Sequence, residues 1–266
     1  MSVTSVQPLR YRSIFISDLH LGLRGARADY LLEFLEATES DYLYLVGDII
    51  DIWEMRKRVY WPREHALVLR RIMEKVWNGT EVIALPGNHD EALRDYNGTV
   101  IDGFRMIDQT IHITADGRRL LVLHGDQFDT VVQYSRAIAL LGSRSYAFLL
   151  RANHWVHLVR RWFGFPYWSL AAHVKHRVKN AVAYIGRFEE MVAWEAGRQQ
   201  VDAVVCGHIH HAQLRQLGSV LYCNDGDWVE SCTALIETHD GSLQLLDWSE
   251  LREQIGQGSD SEPRVA

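Results

Sequence analysis

The chain has 266 residues, 47% of them hydrophobic, which is enough for a full core in one domain or in one domain carrying an insertion. A net charge of -6 argues against a general nucleic-acid-binding surface, because neutralising phosphates takes a basic footprint, and leaves room only for local basic patches. The three cysteines, Cys206, Cys223 and Cys232, are odd in number and sit in or beside apolar runs. They are therefore expected to be buried, reduced thiols.

Residues 1–10 hold no apolar signal core, and no apolar run reaches the length of a membrane span, so a soluble cytoplasmic protein is expected. Residues 12–17 form a β-rich run that delivers Asp18 and His20, two positions apart and able to face one side of an extended segment. The stripe Leu31, Leu32, Phe34 and Leu35 predicts an amphipathic helix. Residues 42–46 are apolar and aromatic throughout and read as a buried central strand, ending at Gly47 and Asp48. Asp51 either caps the next segment or orients a ligand, and the aromatic, basic stretch 53–61 is either a solvated loop or the border of a cleft.

Pro62 opens a helix with an apolar face that stops at Asn78-Gly79. Residues 80–85 return as a strand to the polar turn Pro86-Gly87-Asn88-His89-Asp90. The alternation of strand and helix implies right-handed crossovers and a largely parallel inner sheet. Residues 106–124 predict a hairpin around Asp116-Gly117, with His112 on the strand surface and His124 at the strand end.

Residues 130–197 interrupt this pattern with a helical stretch in which arginine, lysine and histidine are interleaved with aromatic residues. They are expected to form a cap that supplies cations and apolar walls to a substrate. Residues 201–206 are the last inner strand and end in Gly207-His208-Ile209-His210-His211. Residues 213–248 read as four antiparallel strands completing a second sheet, with the turn at 224–228 near the active edge. Residues 252–266 read as a disordered tail.

Five polar turns thus each follow an apolar strand, and they meet only if those strands end together at one edge. Asp18, His20, Asp48, Asn88, His124, His208 and His210 offer carboxylate, amide and imidazole, a mixed nitrogen and oxygen set suited to first-row divalent ions. Seven ligands exceed one tetrahedral zinc and suit two ions sharing a carboxylate, a geometry that stabilises both oxygens of an in-line displacement at phosphorus.

The order DxH, GDxxD, GNHD, HGD, GHxH across Asp18 to His210 resembles the calcineurin-like metallophosphoesterase superfamily. The whole chain up to Trp248 is most similar to the UDP-2,3-diacylglucosamine pyrophosphohydrolase branch, whose enzymes cleave a diphosphate to a lipid 1-phosphate and UMP in lipid A synthesis. The resemblance implies a layered α/β fold, a two-sheet β-sandwich flanked by helices with a helical cap insertion. It also implies two divalent ions, manganese first, with iron, zinc or magnesium as alternatives. One ion would take Asp18, His20, Asp48 and His210, and the other Asp48, Asn88, His124 and His208, with Asp48 as the bridge.

By the same resemblance His89 contacts phosphate and assists the leaving group, with Asp90 or Asp51 fixing its orientation. Asn88, His89, Arg136, Arg144, Lys175, Lys179 and His211 are the candidate substrate residues. The substrate class expected is a phosphate-containing small molecule or lipid-nucleotide, with the cap able to touch a membrane surface. One position departs from the branch: His89 stands where the enzymes best known for the lipid A reaction have arginine. A phosphodiesterase or pyrophosphatase acting on another nucleotide or phospholipid is therefore the alternative, with a nuclease of the same superfamily and a noncatalytic scaffold behind it.

Overall fold

A computed structural model describes residues 7–131 and 170–259. The chain divides into two compact units, one of Met1–Asp126 with Val192–Ala266 and the other of Gln127–Met191. Of the expected cap residues, Arg136 and Arg144 lie outside the described residues. Lys175 and Lys179 lie on helix α4 (Leu170–Arg198), but their side chains are also outside them.

The first unit is built on two sheets. In the first, β1 (Leu9–Ile16), β2 (Thr38–Val46), β3 (Glu81–Leu85) and β5 (Phe104–Met106) run parallel. That sheet is closed on one side by the short edge strand β4 (Val100–Ile101) and on the other by β11 (Thr233–Glu237) and β12 (Leu243–Asp247). The second sheet has the order β6 (Gln109–Ile113), β7 (Arg119–Leu123), β8 (Ala203–Cys206), β10 (Val220–Asn224), β9 (Gln213–Leu217), with β7, β8 and β10 parallel.

The central strands are apolar on both faces because both faces are covered. Ile14, Ile16, Leu43, Leu45, Val82 and Ala84 pack with Leu31, Phe34 and Leu35 of α1 (Ala28–Ala37) and Val68, Ile72 and Val76 of α3 (Arg63–Trp77). Their sequence neighbours Phe15, Tyr44, Val46, Ile83 and Leu85 point the other way and meet Leu120, Val122, Ala203 and Val205 of the second sheet. Burying each such aliphatic or aromatic side chain contributes about 1.5–3 kcal/mol. A frame of this kind can hold strained loops at its edge.

The sequence expectations hold for the hairpin and for the three buried, free cysteines, and three others need correction. The four late strands do not share a sheet: β9 and β10 join the second, whereas β11 and β12 extend the first beside β1. The polar end does not become irregular at residue 252, because helix α5 (Trp248–Ser259) carries it to Ser259.

His112, expected on the strand surface, is buried. Its Nε2 lies 2.8 Å from Glu237 Oε2 and its Nδ1 lies 2.9 Å from the Tyr44 hydroxyl. Arg12 and Ser13 reach the same carboxylate, so a polar network joins the two sheets at the middle of β1, below the turn that carries Asp18. No helix among the described residues is long and apolar enough to cross a membrane.

Candidate metal centre

The polar turns leave the carboxyl ends of β1, β2 and β3 in one sheet and of β7, β8 and β10 in the other. The candidate site therefore lies at the common edge of two stacked sheets, not along a single one. The first two turns continue to pair beyond their strands: Asp18 N donates to Gly47 O at 3.0 Å, His20 N to Asp48 O at 2.9 Å, and Asp51 N to Leu21 O at 2.8 Å.

Eight non-glycine residues have positive φ among the described ones, and five of them are Asp18, His20, Asp48, His208 and His210. Aspartate and histidine are among the side chains that tolerate this region, yet such positions cost on the order of 1–3 kcal/mol and persist where the surroundings over-determine them. Their concentration at one edge marks a site held under strain.

Backbone amides from other turns aim the two central carboxylates. His208 N donates to Asp18 Oδ2 at 2.7 Å, and His89 N donates to Asp48 Oδ1 at 2.8 Å. Asp48 then lies between two groups of imidazoles, with Oδ2 3.6 Å from His20 Nε2 and Oδ1 3.6 Å from His124 Nε2. Asp18 Oδ1 is 2.9 Å from His210 Nε2 and 3.5 Å from His20 Nε2, and these two ring nitrogens are 3.4 Å apart. Among the described residues, three compact groups could each hold an ion: Asp18, His20 and His210; Asp18, Asp48 and His124; and His20, Asp51 and His89.

Outer hydrogen bonds set the imidazole tautomers. His124 Nδ1 donates to Val46 O at 2.8 Å, which turns the Nε2 lone pair inward, and His20 Nδ1 lies 3.1 Å from Asp51 Oδ2, which does the same. His124 Nε2 and Asn88 Oδ1 are buried without a hydrogen-bond partner among the described residues, a costly state for polar atoms that is removed when they face a cation. The residues present fit a pair of divalent ions.

Electrostatics point the same way. Burial raises the Asp18 carboxyl, but the His210 charge and hydrogen bonds from His20 and His210 outweigh it and hold the group well below the usual range. Burial lowers the His20 imidazole, but hydrogen bonds to Asp18 and Asp51 dominate and push it up to about 10. In the absence of cations His20 thus takes up a proton in their place.

Close approach of these groups depends on glycines, among them Gly47, where a Cβ would lie 2.1 Å from His124 Nδ1. A Cβ on Gly87 would lie 2.3 Å from Asp48 Oδ1 and 2.7 Å from His124 Nε2, and one on Gly207 would lie 2.2 Å from Ser17 Oγ.

The remaining sequence candidates separate. Asp51 is a cap: its Oδ1 accepts from Glu54 N at 2.9 Å at the start of α2 (Ile52–Lys57), and the same oxygen lies 2.9 Å from His89 Nδ1. Asp90, expected as a catalytic or orienting residue, instead spends its oxygens on backbone amides, those of Ile49, Ile50 and Gly87. It shapes two turns. His211 is exposed.

In the 53–61 stretch, whose first part is helix α2, the Trp53 ring lies 4.4 Å from that of His89 and the residue is 39% exposed. Sequence reasoning missed Ser17, whose Oγ donates to Asp225 Oδ1 at 2.6 Å, and placed the 224–228 turn near the site without assigning roles to Asp225 or Asp227. The signal was present in the clustered acidic residues at a strand end.

Fold and site together define a metal-dependent phosphoester hydrolase. The family model for calcineurin-like phosphoesterases matches residues 11–212, and the chain belongs to that family. Among curated relatives, a UDP-2,3-diacylglucosamine hydrolase of Shewanella sp. strain ANA-3 is 24% identical over 247 residues, covering 86% of this chain and 95% of that protein. One of the same name from Vibrio atlanticus is 32% identical over 123 residues, 45% of this chain and 49% of that protein. Among solved structures, an archaeal phosphodiesterase aligns over 88% of this chain and 98% of its own at 14% identity, with a TM-score of 0.40.

Proposed function

We propose that the protein hydrolyses a diphosphate bond in a lipid-nucleotide of the UDP-diacylglucosamine kind at a dinuclear centre. Asp18, His20, Asp48 and His210 would hold one ion and Asp48, Asn88, His124 and His208 the other. The observation that carries the reaction class is the placement of Asp48 between two imidazole groups whose outer nitrogens are already engaged. The relatives that align along nearly their full length and bear a lipid-nucleotide hydrolase name support the substrate class.

A bound pair of divalent ions supplies Lewis-acid activation of water and of the phosphoryl oxygens. The chain's own part is positional. Asp51 Oδ1 lies 2.9 Å from His89 Nδ1 and steadies the ring, and His89 Nε2, 3.9 Å from Asp48 Oδ2, would give the hydrogen bond or proton to the leaving oxygen. Trp53 covers part of the same ring. His89, in place of the arginine of the best-known lipid A enzymes, favours a second reading in which the substrate is another nucleotide diphosphate or phospholipid.

Asp48→Asn and His124→Ala are expected to lose metal and activity together, whereas His89→Ala keeps its metal and loses roughly 10²–10⁴ in turnover. Metal analysis and bis-p-nitrophenyl phosphate hydrolysis separate these outcomes. Unchanged activity of His89→Ala on every substrate would remove it from the mechanism. Comparing UDP-diacylglucosamine with other nucleotide diphosphates and cyclic nucleotides tests the substrate class.

A further inference from the structure

The turn after β10 takes no part in the chemistry above, yet its polar side chains Asn224, Asp225 and Asp227 are all buried. Asp225 and Asn224 anchor neighbouring turns: Ser17 Oγ donates to Asp225, and Asn224 Nδ2 donates to Gly207 O at 2.7 Å. Asp227 has a different neighbour. Its Oδ2 lies 3.9 Å from His210 Nδ1, the outer nitrogen of a ring whose Nε2 faces Asp18 and His20.

The carboxylate of Asp227 is fixed before any ligand arrives. Oδ1 accepts from Val229 N at 2.7 Å and Glu230 N at 2.6 Å, and Oδ2 accepts from Ser231 Oγ at 2.9 Å. The adjacent Trp228 N donates to Asp18 O at 3.2 Å, which ties this turn to the first ligand turn.

The outer nitrogens of His20 and His124 are held at hydrogen-bond distance, and those rings are nearly sealed. The His210 side chain is 24% exposed, so its ring has the room to turn that theirs lack. A separation of 3.9 Å is too long for a direct hydrogen bond, but a fixed charge there still biases the ring.

We propose that Asp227 is a positioning residue for His210: from its anchored place it holds the imidazole with Nε2 inward and favours a cation at that nitrogen. This rests on the dinuclear reading above. A histidine ligand that loses the carboxylate behind it typically loses ten- to a hundredfold in metal affinity.

The test titrates metal-free full-length protein with Mn²⁺ and reads the free ion by electron paramagnetic resonance. Asp227→Asn keeps an oxygen for Val229 N and Glu230 N, so the turn should persist and the metal-free melting temperature should stay within a degree or so. About ten- to a hundredfold weaker binding at one of two sites is expected. Ser231→Ala leaves the charge in place but frees it, and a severalfold loss is expected. In a His210→Gln background, Asp227→Asn should add nothing.

Mn²⁺ affinity within twofold of wild type in both variants would overturn the assignment, as would an equal loss in the His210→Gln background. Wild-type protein that binds no Mn²⁺ would overturn the dinuclear reading itself. Uptake by wild type with unchanged affinity in the variants would overturn the role of Asp227 alone.

Discussion

Asp51→Asn should damage two functions through one atom. The carboxylate accepts from Glu54 N at 2.9 Å and lies 3.1 Å from His20 Nδ1 and 2.9 Å from His89 Nδ1. An asparagine of the same shape offers one oxygen and places an amide N–H₂ where the other oxygen was. At least one imidazole then meets a donor and must turn over or change tautomer. If it is His20, a proton appears on Nε2, in the space bounded by Asp18 Oδ1 at 3.5 Å and Asp48 Oδ2 at 3.6 Å, and ligation is lost.

If His89 is the ring that turns over, it keeps its place but presents the wrong nitrogen to the leaving oxygen. Losing one charge-assisted hydrogen bond of about 1.5–3 kcal/mol corresponds to about ten- to 150-fold in rate or affinity. The assay pairs metal stoichiometry with steady-state hydrolysis of bis-p-nitrophenyl phosphate. Metal loss identifies the His20 branch, and full metal with reduced turnover identifies the His89 branch. Wild-type values for both within a factor of two would refute the claim that Asp51 organises the site.

Gly87→Ala is a purely steric perturbation, because Gly87 lies outside the positive-φ region while its new Cβ would fall 2.3 Å from Asp48 Oδ1 and 2.6 Å from Asp48 N. Loss of both metal uptake and activity is expected, and metal analysis of the folded variant checks it. Glu237→Gln tests the polar network between the sheets. Burial raises this carboxyl, but hydrogen bonds from His112, Ser13 and Ala115 N hold it down at about 2. Its folded pKa is depressed, so its contribution is present above the unfolded value and disappears as pH falls from about 4.5 toward 2. On the order of 2–3 kcal/mol is expected to be lost in the variant near neutral pH, with a flatter stability profile in acid, measured by urea unfolding between pH 2 and 7.

The candidate ligand residues were legible as a set in the sequence because each stands where an apolar strand stops, and strands of one sense in a two-sided sheet end at a common edge. The physical state of those ligands was not legible. Nothing in Asp18, His20, Asp48, His208 or His210 announces a left-handed backbone, and nothing near His124 announces that Val46 O, 78 positions earlier, selects its tautomer. Both follow from loops packing on one another across the edge.

His112 shows the same limit from the other side. Strand β6 alternates as a sequence reader wants, but with its sense reversed: Ile111 and Ile113 are the exposed residues and His112 the buried one. Apolar residues at every second position ordinarily mark the inward face. Here the inward face meets Ser13, Tyr44 and Glu237, so the residue able to satisfy a carboxylate and a hydroxyl turns in, and the isoleucines turn out. Those partners lie 68 to 125 positions away in the chain, which is why no window of local sequence contains them. Periodicity reports which side chains share a face; what that face touches decides which face is buried.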